Sequence, residues 1–105
     1  MAITTAFDKT QFRPRETKVI DGQAITYSDV LVHSFVLSDV DDPEIYAAGP
    51  IWDWQHSEQG QWVLEHAVNE PWYTIDVDFA SYGYRCRIVA RLAEQDQTFF
   101  KLKWK

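Results

Sequence analysis

No lysine or arginine occurs between Val19 and Tyr84. With a net charge of −6, the chain lacks the basic face that a nucleic-acid binder needs to displace counterions. It equally lacks a polybasic segment that would hold it on an anionic membrane surface. Cysteine is reduced to Cys86 alone, which excludes an internal disulfide and a cysteine zinc site. The four glycines form neither a phosphate-cradling loop nor a dinucleotide fingerprint. No apolar run approaches the ~20 residues that span a bilayer. Residues 1–10 mix charges without an apolar stretch, so no signal peptide is expected. A reducing cytoplasm is the expected compartment.

What is present is aromatic and acidic. The window without cations holds twelve of the sixteen acids and four of the five tryptophans. All ten basic residues lie outside it, from Lys9, Arg13, Arg15 and Lys18 to Arg85, Arg87, Arg91, Lys101, Lys103 and Lys105. An apolar fraction of 46% with 15% aromatics is that of a folded chain. At 105 residues one domain is expected, with residues 1–18 as an extended arm.

Asp21-Gly22 is a turn signal. The run Ala24 to Leu37 after it alternates as a strand. Tyr27, Leu31, His33, Phe35 and Leu37 would share one face, and Ser28, Val30, Val32, Ser34 and Val36 the other. Both faces are apolar near the centre, as in a strand covered on both sides. Asp41 or Asp42 before Pro43 suits a helix start, giving a short helical turn at 43–48 that Gly49-Pro50 interrupts. From Ile51 a helical stripe carries Trp52, His56, Gln59, Val63 and His66, with Gly60 costing about 1 kcal/mol relative to alanine. A hairpin, Ile51 to Gln55 against Gln61 to His66, is the rival reading.

Toward the C-terminus two strands alternate around a turn at Ala80–Gly83. The pattern places Asp78 opposite Arg85 and Asp76 opposite Arg87. Phe79 then meets Tyr84, Val77 meets Cys86 and Ile75 meets Ile88 on the other face. A further turn at Glu94–Gln97 would lead into a third strand at Thr98–Trp104. The expected fold is therefore α+β: an antiparallel sheet of about four strands, with a C-terminal three-stranded meander and one main helix.

Groups that could carry chemistry are few. Neighbours such as Glu65 and His66 point about 100° apart on a helix, a poor acid–base pair. His56 and His66, about 15 Å apart on one helix, cannot share a metal ion, and His33 on its strand reads as a core or rim histidine. Asp39 to Glu44 has the oxygen density of a calcium loop without its glycine turn or distal glutamate. Cys86 faces inward as a small core residue. No catalytic residue, metal site or cofactor is expected. Trp52, Trp54 and Trp62 lie on different sides of the proposed helix, so at least one is left for an interaction surface.

The stretch Trp52 to His66 (WDWQHSEQGQWVLEH), together with Tyr82-Gly83-Tyr84 and Ile88-Val89-Ala90-Arg91-Leu92, resembles small uncharacterised proteins of large tailed bacteriophages. The resemblance covers about the last half of the chain and brings no catalytic residues with it. It implies a structural, assembly or host-interaction role, in the host cytoplasm or the virion. The leading expectation is a non-enzymatic interaction protein, acting as a homo-oligomer in which basic ends of one copy meet the acidic, aromatic middle of another. Two alternatives stand beside it. One is an acidic decoy of a nucleic-acid-binding host protein; the other is a small enzyme or ligand-binding domain with a His/Trp-lined pocket.

Overall fold

The computed structural model describes residues 4–5, 16–80 and 82–104. In chain order its elements are β1 (Thr4–Thr5), β2 (Glu16–Ile20), β3 (Gln23–Leu37), α1 (Pro43–Gln55), α2 (Glu58–His66), β4 (Trp72–Asp78), β5 (Gly83–Ala93) and α3 (Glu94–Lys103). The strands form one sheet in the order β1-β4-β5-β3-β2. Four of them are antiparallel neighbours, and the two-residue β1 lies parallel to the edge of β4. The fold is α+β. Of the expected arm, Thr4–Thr5 and Glu16–Lys18 are strand residues, and the rest lies outside the described residues. Among the described residues no helix is long and apolar enough to cross a membrane.

Asp21 and Gly22 both adopt left-handed backbone. They place Ile20 opposite Gln23, the two-residue turn whose twist matches that of paired strands. The long β3 then crosses the middle of the sheet, with a register shift between Leu31 and His33. That bulge corrects the expected faces. Ser28, Val30 and Val32 before it lie on the same side as His33, Phe35 and Leu37 after it. Tyr27 and Leu31 fall on the opposite side, Leu31 half exposed. One extra residue inverts strict alternation, which lets the apolar positions of both halves of β3 reach one core.

The core lies on that side. Ala47, Ile51 and Trp54 of α1, Val63 of α2 and Phe100 of α3 pack on Cys86, Ile88, Ala90 and Leu92 of β5. All three helices thus cover one face of the sheet. The opposite face is only partly covered: Val89 and Trp72 are buried, whereas Leu31 and Val36 are about half exposed. There Arg91 lies opposite Asp29 in the ladder and pairs with it at 3.2 Å, both side chains 3% exposed, with Glu16 3.6 Å away.

Four further sequence expectations are corrected. First, β4 and β5 pair two residues away from the expected register: Asp76 lies opposite Arg85, Val77 opposite Tyr84 and Asp78 opposite Gly83. A slip of two keeps every side chain on its face. The anticipated ion pairs therefore persist as diagonal contacts, Arg85–Asp78 at 3.6 Å and Arg87–Asp76 at 3.3 Å. Gly83 explains the shift. It starts β5 where a Cβ would overlap the Leu37 carbonyl, so it belongs in the strand and not in the turn.

Second, Gly49-Pro50 does not interrupt α1. Proline removes one hydrogen bond and costs about 3 kcal/mol inside a helix. Tyr46, whose carbonyl loses its partner, is solvent-exposed, so water can satisfy that oxygen. Burial of Ile51 and Trp54 just beyond returns roughly 1.5–3 kcal/mol for each large side chain. Third, the segment 51–66 is neither one helix nor a hairpin; the chain breaks at His56-Ser57 between α1 and α2.

Fourth, Thr98–Trp104 is not the third strand of a C-terminal meander: residues 98–103 belong to α3 and Trp104 is its C-cap, and among the described residues there are three helices instead of one main helix. Phe100 and Trp104 are four residues apart, a helical neighbour spacing that period-two alternation also fits. Glu94 and Asp96 in the first turn and Lys101 and Lys103 in the last favour the helix through its dipole.

Candidate functional site

The junction of α1 and α2 positions the aromatic residues. Ser57 is the N-cap of α2: its Oγ accepts from Gly60 N at 3.0 Å and donates to the Trp54 carbonyl at 2.6 Å, tying the end of one helix to the start of the next. A Cβ on Gly60 would overlap that same carbonyl, so glycine lets α2 close on α1. Gln61 Nε2 adds a 2.6 Å bond to the Gln55 carbonyl.

The three candidate tryptophans separate at this junction. Trp54 is buried; its indole N–H donates to Gln59 Oε1 at 2.7 Å, and its ring stacks on His33 with centroids 5.9 Å apart. Trp62 is half buried among Phe99, Phe100 and Trp104, at 5.3, 6.1 and 5.5 Å between centroids. Trp52 is 59% exposed. Of the three, Trp52 alone is largely exposed; Trp54 and Trp62 pack into the helical layer.

Trp52 and Trp62 share a local device. His56 stacks on Trp52 and His66 on Trp62, with centroids 4.0 and 4.2 Å apart, and each Nδ1 lies 2.8 Å from the carbonyl oxygen of its tryptophan. A carbonyl only accepts, so the proton sits on Nδ1 in both histidines. The Trp52 carbonyl also accepts from the His56 backbone N–H at 3.2 Å. Trp-x-x-x-His thus recurs at the ends of both helices, where the ring adds a side-chain bond to a last-turn carbonyl. This commits one nitrogen of His66 and separates its role from that of Glu65.

The outer face of α1 is apolar as well as the inner one. Ile45, Tyr46 and Trp52 are 67%, 60% and 59% exposed while Ala47, Ile51 and Trp54 are buried. A helix apolar all round normally has neighbours all round. Exposed Glu44 and Asp53 flank this face. Of the twelve acids in the window without cations, Asp29, Glu58, Asp76 and Asp78 pair with Arg91, Lys103, Arg87 and Arg85.

A second feature is a wide, shallow groove of about 610 Å³ between α1, α2, β3 and the end of α3, with His33, Asp53, Trp54, Glu58 and Trp104 among its lining residues. Burial lowers the pKa of His33. A His/Trp-lined pocket was among the sequence expectations, but not Trp104 as one of its residues, because Trp104 reaches the groove only from the end of a helical α3. Cys86 is fully buried and its thiol is pushed up to about 12 by desolvation. Among the described residues no three His, Cys, Asp or Glu side chains converge as metal ligands, those of Asp39 to Glu44 included. No family model, curated protein or solved structure matches the chain.

Proposed function

We propose that the protein is a non-enzymatic interaction or assembly protein of the phage type, that it acts as a homo-oligomer, and that the outer face of α1 is its docking surface. The observation carrying this reading is a helix with both faces apolar, Trp52 at the centre of the exposed one. Charge complementarity argues for a second copy as the occupant. The acidic rim has no lysine or arginine in its own segment, and the ten basic residues lie at the two ends of the chain. Arg85, Arg87 and Arg91 already pair with acids of the same copy, so the cations offered to a neighbour are exposed Lys101 and, by sequence, Lys9, Arg13, Arg15 and Lys105. The same pairings disperse the negative field and weigh against the acidic-decoy reading.

Sedimentation velocity at about 10 μM protein tests this across a salt series in which the screening length falls from about 30 to 3 Å. Association at low salt that weakens as salt rises is expected. Trp52→Ala should weaken it by about thirtyfold, the loss typical of a central aromatic anchor. A monomer at low salt sinks the proposal.

A further inference from the structure

We infer that the groove between α1, α2, β3 and α3 is a binding site for a small organic ammonium ion carried on a flat apolar body, such as an aryl-ethylamine. Trp104 and the small exposed part of Trp54 line the groove, together with the carboxylates of Asp53 and Glu58. Aromatic faces attract cations through their quadrupole, most strongly when the cation is partly desolvated. Carboxylates strengthen the same preference through charge-assisted hydrogen bonds. No lysine or arginine is among the residues lining the groove, although Lys103 stands at its edge against Glu58 and Trp104. His33 at its wall is held toward the neutral form by burial, so it adds no opposing charge near neutral pH.

The walls are also fixed in place. Trp54 is held by its bond to Gln59 and its stack on His33. Trp104 is held by the edge of Trp62 and by Phe100. Preorganised rings lose little freedom on binding.

The chain displays this recognition chemistry with an ammonium of its own. Lys103 Nζ sits 2.9 Å from Glu58 Oε1 and 5.0 Å from the centroid of Trp104. One edge of the groove is thus already used by a tethered cation, which an incoming ammonium must displace or sit beside. Lys103 is the restraining residue and Asp53 and Glu58 are the attracting ones.

Titration with tryptamine, followed by the indole N–H resonance of Trp54 and by calorimetry, tests the assignment. Saturable binding with a Kd of about 1 mM is expected for a ligand of this size. Indole-3-acetate, with the same ring and the opposite charge, should not bind. Asp53→Asn with Glu58→Gln should weaken tryptamine by about tenfold, and Lys103→Met should tighten it by about threefold. Both changes are at exposed side chains, so the fold is retained. Equal affinity for the two ligands, no saturation below about 20 mM, or an unchanged Kd in the double variant overturns the proposal.

Discussion

Replacing Gly60 by alanine tests the helical layer directly, because local and tertiary physics predict opposite signs. In an isolated helix the change stabilises by about 1 kcal/mol. Here the new Cβ would overlap the Trp54 carbonyl and crowd Gln55 Cα, both of them backbone, which no side-chain rotation relieves. Relaxation requires α2 to move away from α1. Overpacking of this kind costs about 1–3 kcal/mol. The movement also opens the Ser57 cap, whose Oγ is 3.0 Å from Gly60 N and whose loss costs about 1 kcal/mol. Set against the propensity gain, a net destabilisation of about 1–3 kcal/mol follows. Urea unfolding monitored by tryptophan fluorescence reads it as a lower midpoint at unchanged slope. Gly49→Ala is the control: nothing beyond its chain neighbours and the backbone of its own helix lies within 4 Å of the added Cβ. There the propensity gain is opposed by the restriction that Pro50 places on the preceding residue, and a change within about 0.5 kcal/mol is expected. A Gly60→Ala variant as stable as the parent would refute the close approach of α1 and α2.

Three further outcomes are expected. Arg91→Met leaves Asp29 buried without its principal counter-charge and should cost about 3–5 kcal/mol, while Arg91→Met with Asp29→Leu should recover most of that; equal losses in the single and double variants would contradict the pairing. Burial holds His33 below its ordinary pKa of 6.5, so as pH falls below 6.5 the unfolded chain takes up a proton that the folded chain resists. Its contribution to stability is therefore full above 6.5 and lost as pH drops toward the lower folded value, a slope that His33→Phe should remove in pH-dependent unfolding. Cys86 is fully buried with its thiol raised to about 12, so an aromatic disulfide reagent at neutral pH should label it only after denaturant is added.

The α+β class, the Asp21-Gly22 turn, the span of β3 and the ion pairs of the β4–β5 hairpin were all legible in the chain. Each rests on short-range signals: left-handed turn residues, period-two alternation and opposite charges on one strand face. The candidate site was legible only in part. Trp52, Trp54 and Trp62 were visible as a cluster with an exposed member, but nothing local said that Trp52 would be that member. That depended on where the helix breaks, and Gly49-Pro50 is a stronger local breaker than His56-Ser57. Burial of Ile51 and Trp54 and the Ser57 cap moved the break. In α3, Phe100 and Trp104 satisfy both a strand period and a helical one, and packing against Trp62 is realised in the helical form.

By itself the sequence determined where the charges lie: an acidic, aromatic middle without a single cation, between two basic ends. Charge and alternation are properties of position along the chain, and folding does not alter them. Only the tertiary structure decided which charges meet. Arg91 crosses from outside the window to neutralise Asp29, Arg85 and Arg87 reach Asp78 and Asp76 on the diagonal, and Lys103 comes from α3 to Glu58. It also decided which tryptophan faces solvent. Both outcomes depend on distances between segments remote in sequence, set by one bulge in β3, one glycine at the start of β5 and one glycine between two helices.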